Sequence, residues 1–174
     1  MRILVTGGVR SGKSRHAETL LAGAPAVTYI APGRRADGTD PDWDARLARH
    51  RARRPGDWST VETAAIEDAL RDAAGPVLVD CLGTWLTAVM DDAGLWEASA
   101  ESVDAVVGAR IDAVCAALTE RHQAVVVTNE VGFGVVPEHR SGRLFRDLLG
   151  TANQRVAAVC DEVHLVVAGR VLKL

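Results

Sequence analysis

Apolar positions along the chain follow two alternating periods. Short apolar runs at Ile3 to Thr6, Ala26 to Ile30, Val77 to Asp80, Ala124 to Thr128 and Val163 to Val167 predict buried strands, mostly separated by helix-period segments. That alternation predicts an α/β fold: a mostly parallel sheet covered by helices on both faces. The clearest helix is predicted from about Ser102 to His122, where Val103, Val106, Val107, Ile111, Val114, Cys115 and Leu118 keep one apolar stripe. After Val167, the turn Ala168-Gly169-Arg170 and the run Val171 to Leu174 predict a C-terminal antiparallel hairpin that ends the sheet in an edge strand. The polar stretch Pro32 to Asp42, with Gly33, Arg34, Arg35, Asp37, Gly38, Asp40 and Pro41, predicts a loop of the kind that often carries function.

Composition narrows the class. At 174 residues and 48% hydrophobic, the chain is expected to form one domain over residues 1–174 with covered sheet faces. A net charge of −3 gives no global basic field, which disfavours broad binding to nucleic acid. Cys81, Cys115 and Cys160 lack metal-ligand spacing and sit in or beside apolar runs, as buried thiols of a reducing compartment do. No stretch approaches the roughly 20 apolar residues of a membrane span. Met1 and Arg2 before Ile3-Leu4-Val5 are too short for a signal-peptide core, so a cytoplasmic protein is expected.

Chemistry enters at Gly7-Gly8-Val9-Arg10-Ser11-Gly12-Lys13-Ser14, which has the spacing of a phosphate-binding loop. The loop follows a predicted strand and opens a helix, so backbone N–H groups converge on a phosphate at the helix N-terminus. Lys13 is expected to reach the β- and γ-phosphates, and the Ser14 hydroxyl to coordinate Mg²⁺. Asp80, at the end of Val77-Leu78-Val79, is placed either to hold that Mg²⁺, usually through water, or to cap the next helix.

Between Asp42 and Arg54 a short helix, stopped by Pro55, places Arg46, Arg49, His50 and Arg53 on one face. Crowded cations suit a polyanion such as a triphosphate; equally, Asp42, Asp44 and Asp57 are available to neutralise a solvated basic face. Spacing leaves both open. Asn129 and Glu130, just past a strand, form either a ligand-binding loop or a cap for the following helix. His16, His122, His139 and His164 show no partner pattern, and Trp43, Trp58, Trp85 and Trp96 are expected to pack rather than stack on a base.

Taken together, Arg46-Leu47-Ala48-Arg49-His50-Arg51-Ala52-Arg53-Arg54-Pro55-Gly56-Asp57-Trp58-Ser59-Thr60-Val61-Glu62 resembles the signature of the bifunctional cobinamide kinase and cobinamide-phosphate guanylyltransferase family. The loop Gly7 to Ser14, the segment Thr128 to Pro137, and Arg143, Phe145-Arg146-Asp147, Gly150 and Asn153-Gln154 resemble the same family in the same order. The resemblance implies a P-loop NTPase of RecA-like type. It also implies two reactions: phosphorylation of adenosylcobinamide, then transfer of GMP from GTP onto adenosylcobinamide phosphate through a guanylylated histidine, His50. Carried over by resemblance, the nucleotide contacts fall on Gly7, Gly8, Val9, Arg10, Ser11, Gly12, Lys13 and Ser14, on Ala31, Pro32 and Gly33, on Arg51, Ala52, Arg53 and Arg54, and on Glu62 and Asp80. GTP and ATP are the implied substrates, Mg²⁺ the implied metal, and a homo-oligomer, a trimer, the implied assembly. Two positions depart from the family: Pro32 stands where a threonine is common, removing a hydroxyl and an N–H, and Asp80 often is glutamate, so the carboxylate here is shorter.

Two other functions share parts of this pattern. A small-molecule P-loop kinase explains the phosphate loop and Asp80 but gives His50 no covalent role. A regulatory GTPase is suggested by Asp80-Cys81-Leu82-Gly83, yet Thr128-Asn129-Glu130-Val131 stands where a guanine-reading asparagine-lysine-x-aspartate motif is expected.

Overall fold

The structure is a computed structural model describing residues 1–174 except the side chain of Arg46. Its strands are β1 (Arg2–Gly7), β2 (Thr28–Ala31), β3 (Ser59–Glu62), β4 (Val77–Asp80), β5 (Ala124–Val127), β6 (Glu162–Val167) and β7 (Arg170–Lys173). They form one seven-stranded sheet in the order β3-β2-β4-β5-β1-β6-β7. Neighbours from β3 to β6 pair in parallel, and only β7 runs antiparallel, against β6. The predicted α/β sheet and its closing hairpin are therefore present.

Side chains alternate across the strands and build a core on each face. Ile3, Val5, Tyr29, Leu78, Val125 and Val127 meet Ala17 of α1 (Lys13–Leu20) and Leu21 at its C-terminal cap on one face. Leu4, Ile30, Val77, Val79, Ala124 and Val126 face the larger core on the other. That core is supplied by α3 (Ile66–Asp72), α4 (Leu82–Asp92), α5 (Ala100–Thr119) and α6 (Arg140–Ala158). The remaining helix, α2 (Pro41–Ala52), contributes no residue to either core cluster.

Several elements differ from the sequence expectation. Strand β3 is absent from the predicted strands because it is an exposed edge whose residues Ser59, Thr60 and Glu62 are polar. The α5 stripe holds at Val103, Val107, Ile111, Val114 and Leu118, with Ala117, but Val106 is 40% exposed, one residue off the buried face. All three cysteines are free; Cys81 is buried, whereas Cys115 and Cys160 are only half-buried. Burial pushes each thiol up, that of Cys160 to about 12. No helix is long and apolar enough to cross a membrane among the described residues.

Candidate active site

In a parallel sheet the carboxyl ends of the strands share one edge. That edge here carries Gly7, Ala31, Glu62, Asp80 and Val127. Between β1 and α1 the phosphate loop turns through Arg10 at φ 56° and Gly12 at φ 99°, left-handed values that favour glycine at the second. Ser11 N–H donates to the Gly8 carbonyl at 3.3 Å, and the Lys13 ammonium reaches back to the same carbonyl at 3.0 Å. Lys13 is nonetheless buried, so its charge is held inside the loop. The Ser11 hydroxyl is buried with no hydrogen-bond partner among the described residues. Behind the loop, Gly169 N–H in the β6–β7 turn donates to the Ser11 carbonyl at 2.8 Å.

Helix α2 begins because Asp40 accepts from Trp43 N–H at 3.0 Å while Pro41 fills the first turn. Its last turn brings His50 over the end of β4, where His50 Nδ1 lies 3.9 Å from Asp80 Oδ2. The two side chains are 25% and 8% exposed, so the pair is largely shielded from water. The Tyr29 hydroxyl donates to the same Asp80 oxygen at 2.9 Å. Burial, reinforced by the Asp80 charge, raises Tyr29 above its ordinary range and keeps it a proton donor. Over the face of that ring, 3.5 Å from its centre, sits the Arg54 guanidinium, which also donates to Thr60 Oγ1 at 3.0 Å. Asp80 caps no helix: residue 81, not 80, stands at the N-terminus of α4.

Two adjoining cavities open here. The larger, about 640 Å³, is lined by Arg35, Arg51, Arg54, Pro55, Gly56, Trp58, Thr60 and Glu62. The smaller, about 70 Å³, reaches inward past Ala31, Gly33 and Leu47 to His50, Asp80 and Cys81. Arg35, Arg54 and Glu62 border both. Glu62 is paired with Arg51 and lies 3.7 Å from Arg35 Nε.

The structure thus gathers His50, Arg51, Arg54, Glu62, Asp80, Ala31 and Gly33 around two connected spaces. Pro32 is buried between lining residues and lines neither cavity, and Ala52 is exposed beyond them. Residues Gly7 to Ser14 also line neither. Their link to the cavities is α1: Arg53 donates to Glu18 of that helix at 3.1 Å. Burial raises the Glu18 carboxyl despite Arg53, and Asp80 adds to the rise. The single arginine face expected on α2 is divided: Arg53 turns to Glu18, and Arg49 to the Ala45 carbonyl of its own helix. Arg46 lies outside the described side chains. Among the described side chains, Arg53 meets Glu18 and His50 faces Asp80, while Glu62 pairs with the neighbouring Arg51.

Asn129 and Glu130 are fastened to the phosphate-loop strand rather than to a helix end. Glu130 N–H donates to the Gly7 carbonyl, and its carboxylate accepts from Thr6, each at 3.2 Å. Asn153 of α6 holds the Asn129 carbonyl at 3.0 Å, and α6 starts only at Arg140, so these residues are not its cap. His16 and His164, without a pattern in sequence, share a 2.8 Å hydrogen bond, and His164 also binds Glu162 at 2.7 Å. Trp43, Trp85 and Trp96 each donate their ring N–H internally; Trp43 also lines the smaller cavity, and Trp58 the larger. Tyr29 and Glu18 had no motif to mark them, whereas Arg35 belongs to the polar loop expected to carry function. The one available signal for Tyr29 was a hydroxyl-bearing ring just before the apolar Ile30 and Ala31 of the same strand.

A Mg²⁺ ion keeps several waters and takes few protein oxygens besides phosphate. The residues present fit that mode: Ser14 stands in the first turn of α1, and α1 packs against β4, whose end carries the Asp80 carboxylate.

A phosphate loop opening α1, a carboxylate at the end of β4 and a mostly parallel sheet define a P-loop nucleotide-binding protein. The fold agrees with solved structures of a prototypical ATPase from the type III secretion system of pathogenic bacteria and of the ATPase EscN of enteropathogenic E. coli. Both superimpose with a TM-score of 0.56, at 13% and 14% identity over 94% and 96% of this chain. This chain spans 50% and 43% of those proteins' lengths.

The chain belongs to the cobinamide kinase / cobinamide phosphate guanyltransferase family, whose model matches residues 3–174. It is 41% identical to the bifunctional adenosylcobalamin biosynthesis protein CobU of Salmonella typhimurium over 100% of this chain and 99% of that protein. Against CobU of Escherichia coli K12 the identity is 40%, with the same coverage. Against CobP of Pseudomonas aeruginosa it is 38%, over 97% of this chain and 94% of the relative. Membership makes the chain an enzyme of the bifunctional kinase and guanylyltransferase class in cobalamin biosynthesis.

Proposed function

We propose that this protein phosphorylates adenosylcobinamide and then transfers GMP from GTP to adenosylcobinamide phosphate by way of a guanylylated His50. The observation that carries the reading is His50 at the end of α2, its Nδ1 edge turned to Asp80 at the inner end of an arginine-lined cavity.

With Nδ1 protonated and facing Asp80, attack falls to Nε2. Its lone pair forms an N–P bond to the α-phosphorus of GTP, and the bond from that phosphorus to the bridging oxygen breaks, so pyrophosphate leaves with the electron pair. The ring carries the positive charge against the Asp80 carboxylate. A phosphate oxygen of adenosylcobinamide phosphate then attacks the same phosphorus, the N–P bond breaks, and neutral imidazole returns with release of adenosylcobinamide-GDP. Lys13 and the backbone N–H groups from Gly8 to Ser14 bind and orient the triphosphate, while Arg51 and Arg54 face it from the cavity. In the kinase step the same loop holds ATP or GTP as the substrate hydroxyl attacks the γ-phosphorus; the bond from that phosphorus to the β–γ bridging oxygen breaks, the nucleoside diphosphate leaves with the electron pair, and the hydroxyl proton passes to solvent. Ser14 and Asp80, the latter through water, would hold Mg²⁺, which supplies neutralising charge to the phosphates. A cytoplasmic, trimeric enzyme of one catalytic domain completes the proposal. Exposed Val171, Leu172 and Leu174 along the β7 edge suit contact between copies.

Replacing His50 with Ala separates the two steps. The variant is expected to lose GMP transfer and to keep substantial phosphorylation of adenosylcobinamide, each followed by product chromatography. Equal loss of both in a folded variant contradicts the division of labour.

A further inference from the structure

We propose that Tyr29 is a positioning residue of guanylyl transfer, with its hydroxyl and its ring doing different jobs: the hydroxyl fixes Asp80 against His50, and the ring face holds Arg54 at the cavity rim. The inference rests on the reading of His50 as the nucleophile.

Tyr29 lies in the middle of β2, fully buried, with its ring anchored in the α1-side core. From that fixed base its hydroxyl donates to Asp80 Oδ2 at 2.9 Å, the same oxygen that His50 Nδ1 approaches at 3.9 Å. A carboxylate at the end of a short side chain has two rotatable bonds, and a hydrogen bond from a buried donor removes that freedom. Asp80 so held presents one oxygen toward Nδ1 at 3.9 Å, an electrostatic approach that favours a proton on Nδ1 and assigns the attack to Nε2. The second job uses different atoms. Arg54 lies 3.5 Å over the ring and borders both cavities, yet its Nε is buried without a hydrogen-bond partner among the described residues. Leaving a guanidinium N–H unpaired is costly. Stacking on Tyr29 and one bond to Thr60 keep Arg54 there, where a nucleotide phosphate completes its bonding.

Rate and affinity should therefore separate. Tyr29→Phe keeps the ring and deletes the hydroxyl. In the full-length protein it is expected to bind GTP, by calorimetry, within about twofold of wild type. Its single-turnover rate of His50 labelling from α-labelled GTP should fall about tenfold or more, as when a supporting hydrogen bond to a reacting group is lost. Tyr29→Leu should show the same slowing and, in addition, about fivefold weaker GTP binding from the lost cation–π contact. Arg54→Ala should weaken binding as much, and adding Tyr29→Leu to it should weaken binding no further. Should Tyr29→Leu unfold, pentafluorophenylalanine at position 29 keeps the ring's shape without its negative face and gives the same affinity comparison. Tyr29→Phe labelling at the wild-type rate overturns the role of the hydroxyl. Undiminished GTP affinity in the ring variants, with Arg54→Ala weakened, overturns the role of the ring. No label on the wild-type protein would instead contradict the histidine reading, and the affinity comparison would still decide the ring's part.

Discussion

Asp80 meets three chemically different neighbours. Tyr29 donates to it, His50 faces it, and it adds negative potential at Glu18 of α1. A single carboxylate at a strand end therefore joins the histidine of α2 to the buried tyrosine of β2. Gly7 is equally constrained from the other side. A Cβ there would run into the Val166 carbonyl and come within 2.8 Å of the Ser11 hydroxyl, at a φ of 157° that side chains rarely adopt. Gly7→Ala should shift the loop off β6 and weaken GTP binding about tenfold or more, the equivalent of about 1.4 kcal/mol. Calorimetry on a variant with the wild-type far-UV spectrum checks this, and unchanged affinity contradicts it. At this scale the sequence made legible whatever a local motif records: Gly7 to Ser14 by spacing, and His50 by its resemblance-bearing segment. Tyr29 and Glu18 act through contacts between residues distant in sequence, and no local pattern encodes such contacts.

Two helices serve the site by different means. Helix α1 is fixed by burial of Ala17 and Leu21 against the sheet, and His16 ties it to His164 in β6. Helix α2 has no buried core residue and depends on its ends: Asp40 caps the start, and the Arg53–Glu18 pair moors the finish to α1. Its placement of His50 should therefore be sensitive to the cap. Asp40→Ala is expected to cost about 1 kcal/mol of stability and to slow His50 labelling, with Asp40→Ser restoring both. Thermal melts and the labelling rate measured together test it; a variant unchanged in both contradicts the dependence on the cap. Helix periodicity located α5 by its buried stripe, and the three- and four-residue spacing of Arg46, Arg49, His50 and Arg53, with Pro55 beyond, placed α2 within a residue or two. Strand β3 escaped because an exposed polar edge lacks the apolar alternation by which strands are recognised.

At the scale of the whole molecule, parallel pairing collects the loop after β1, the ends of β2 and β3, and Asp80 of β4 along one edge, with α2 laid across it. The alternation of strands and helices foretold the sheet and its closing hairpin. Strand order was not legible, because it depends on which crossovers bury which faces. Family membership over residues 3–174 favours the bifunctional enzyme over the regulatory switch that the phosphate loop and Asp80 alone also allow. In the proposed mechanism this edge carries a covalent nucleotide on His50. Purified protein incubated with Mg²⁺ and GTP labelled on the α-phosphate, then denatured and digested, should yield acid-labile GMP on the peptide containing His50. Folded protein that binds GTP and retains no label would contradict the claim and leave a P-loop kinase whose arginines only clamp phosphate.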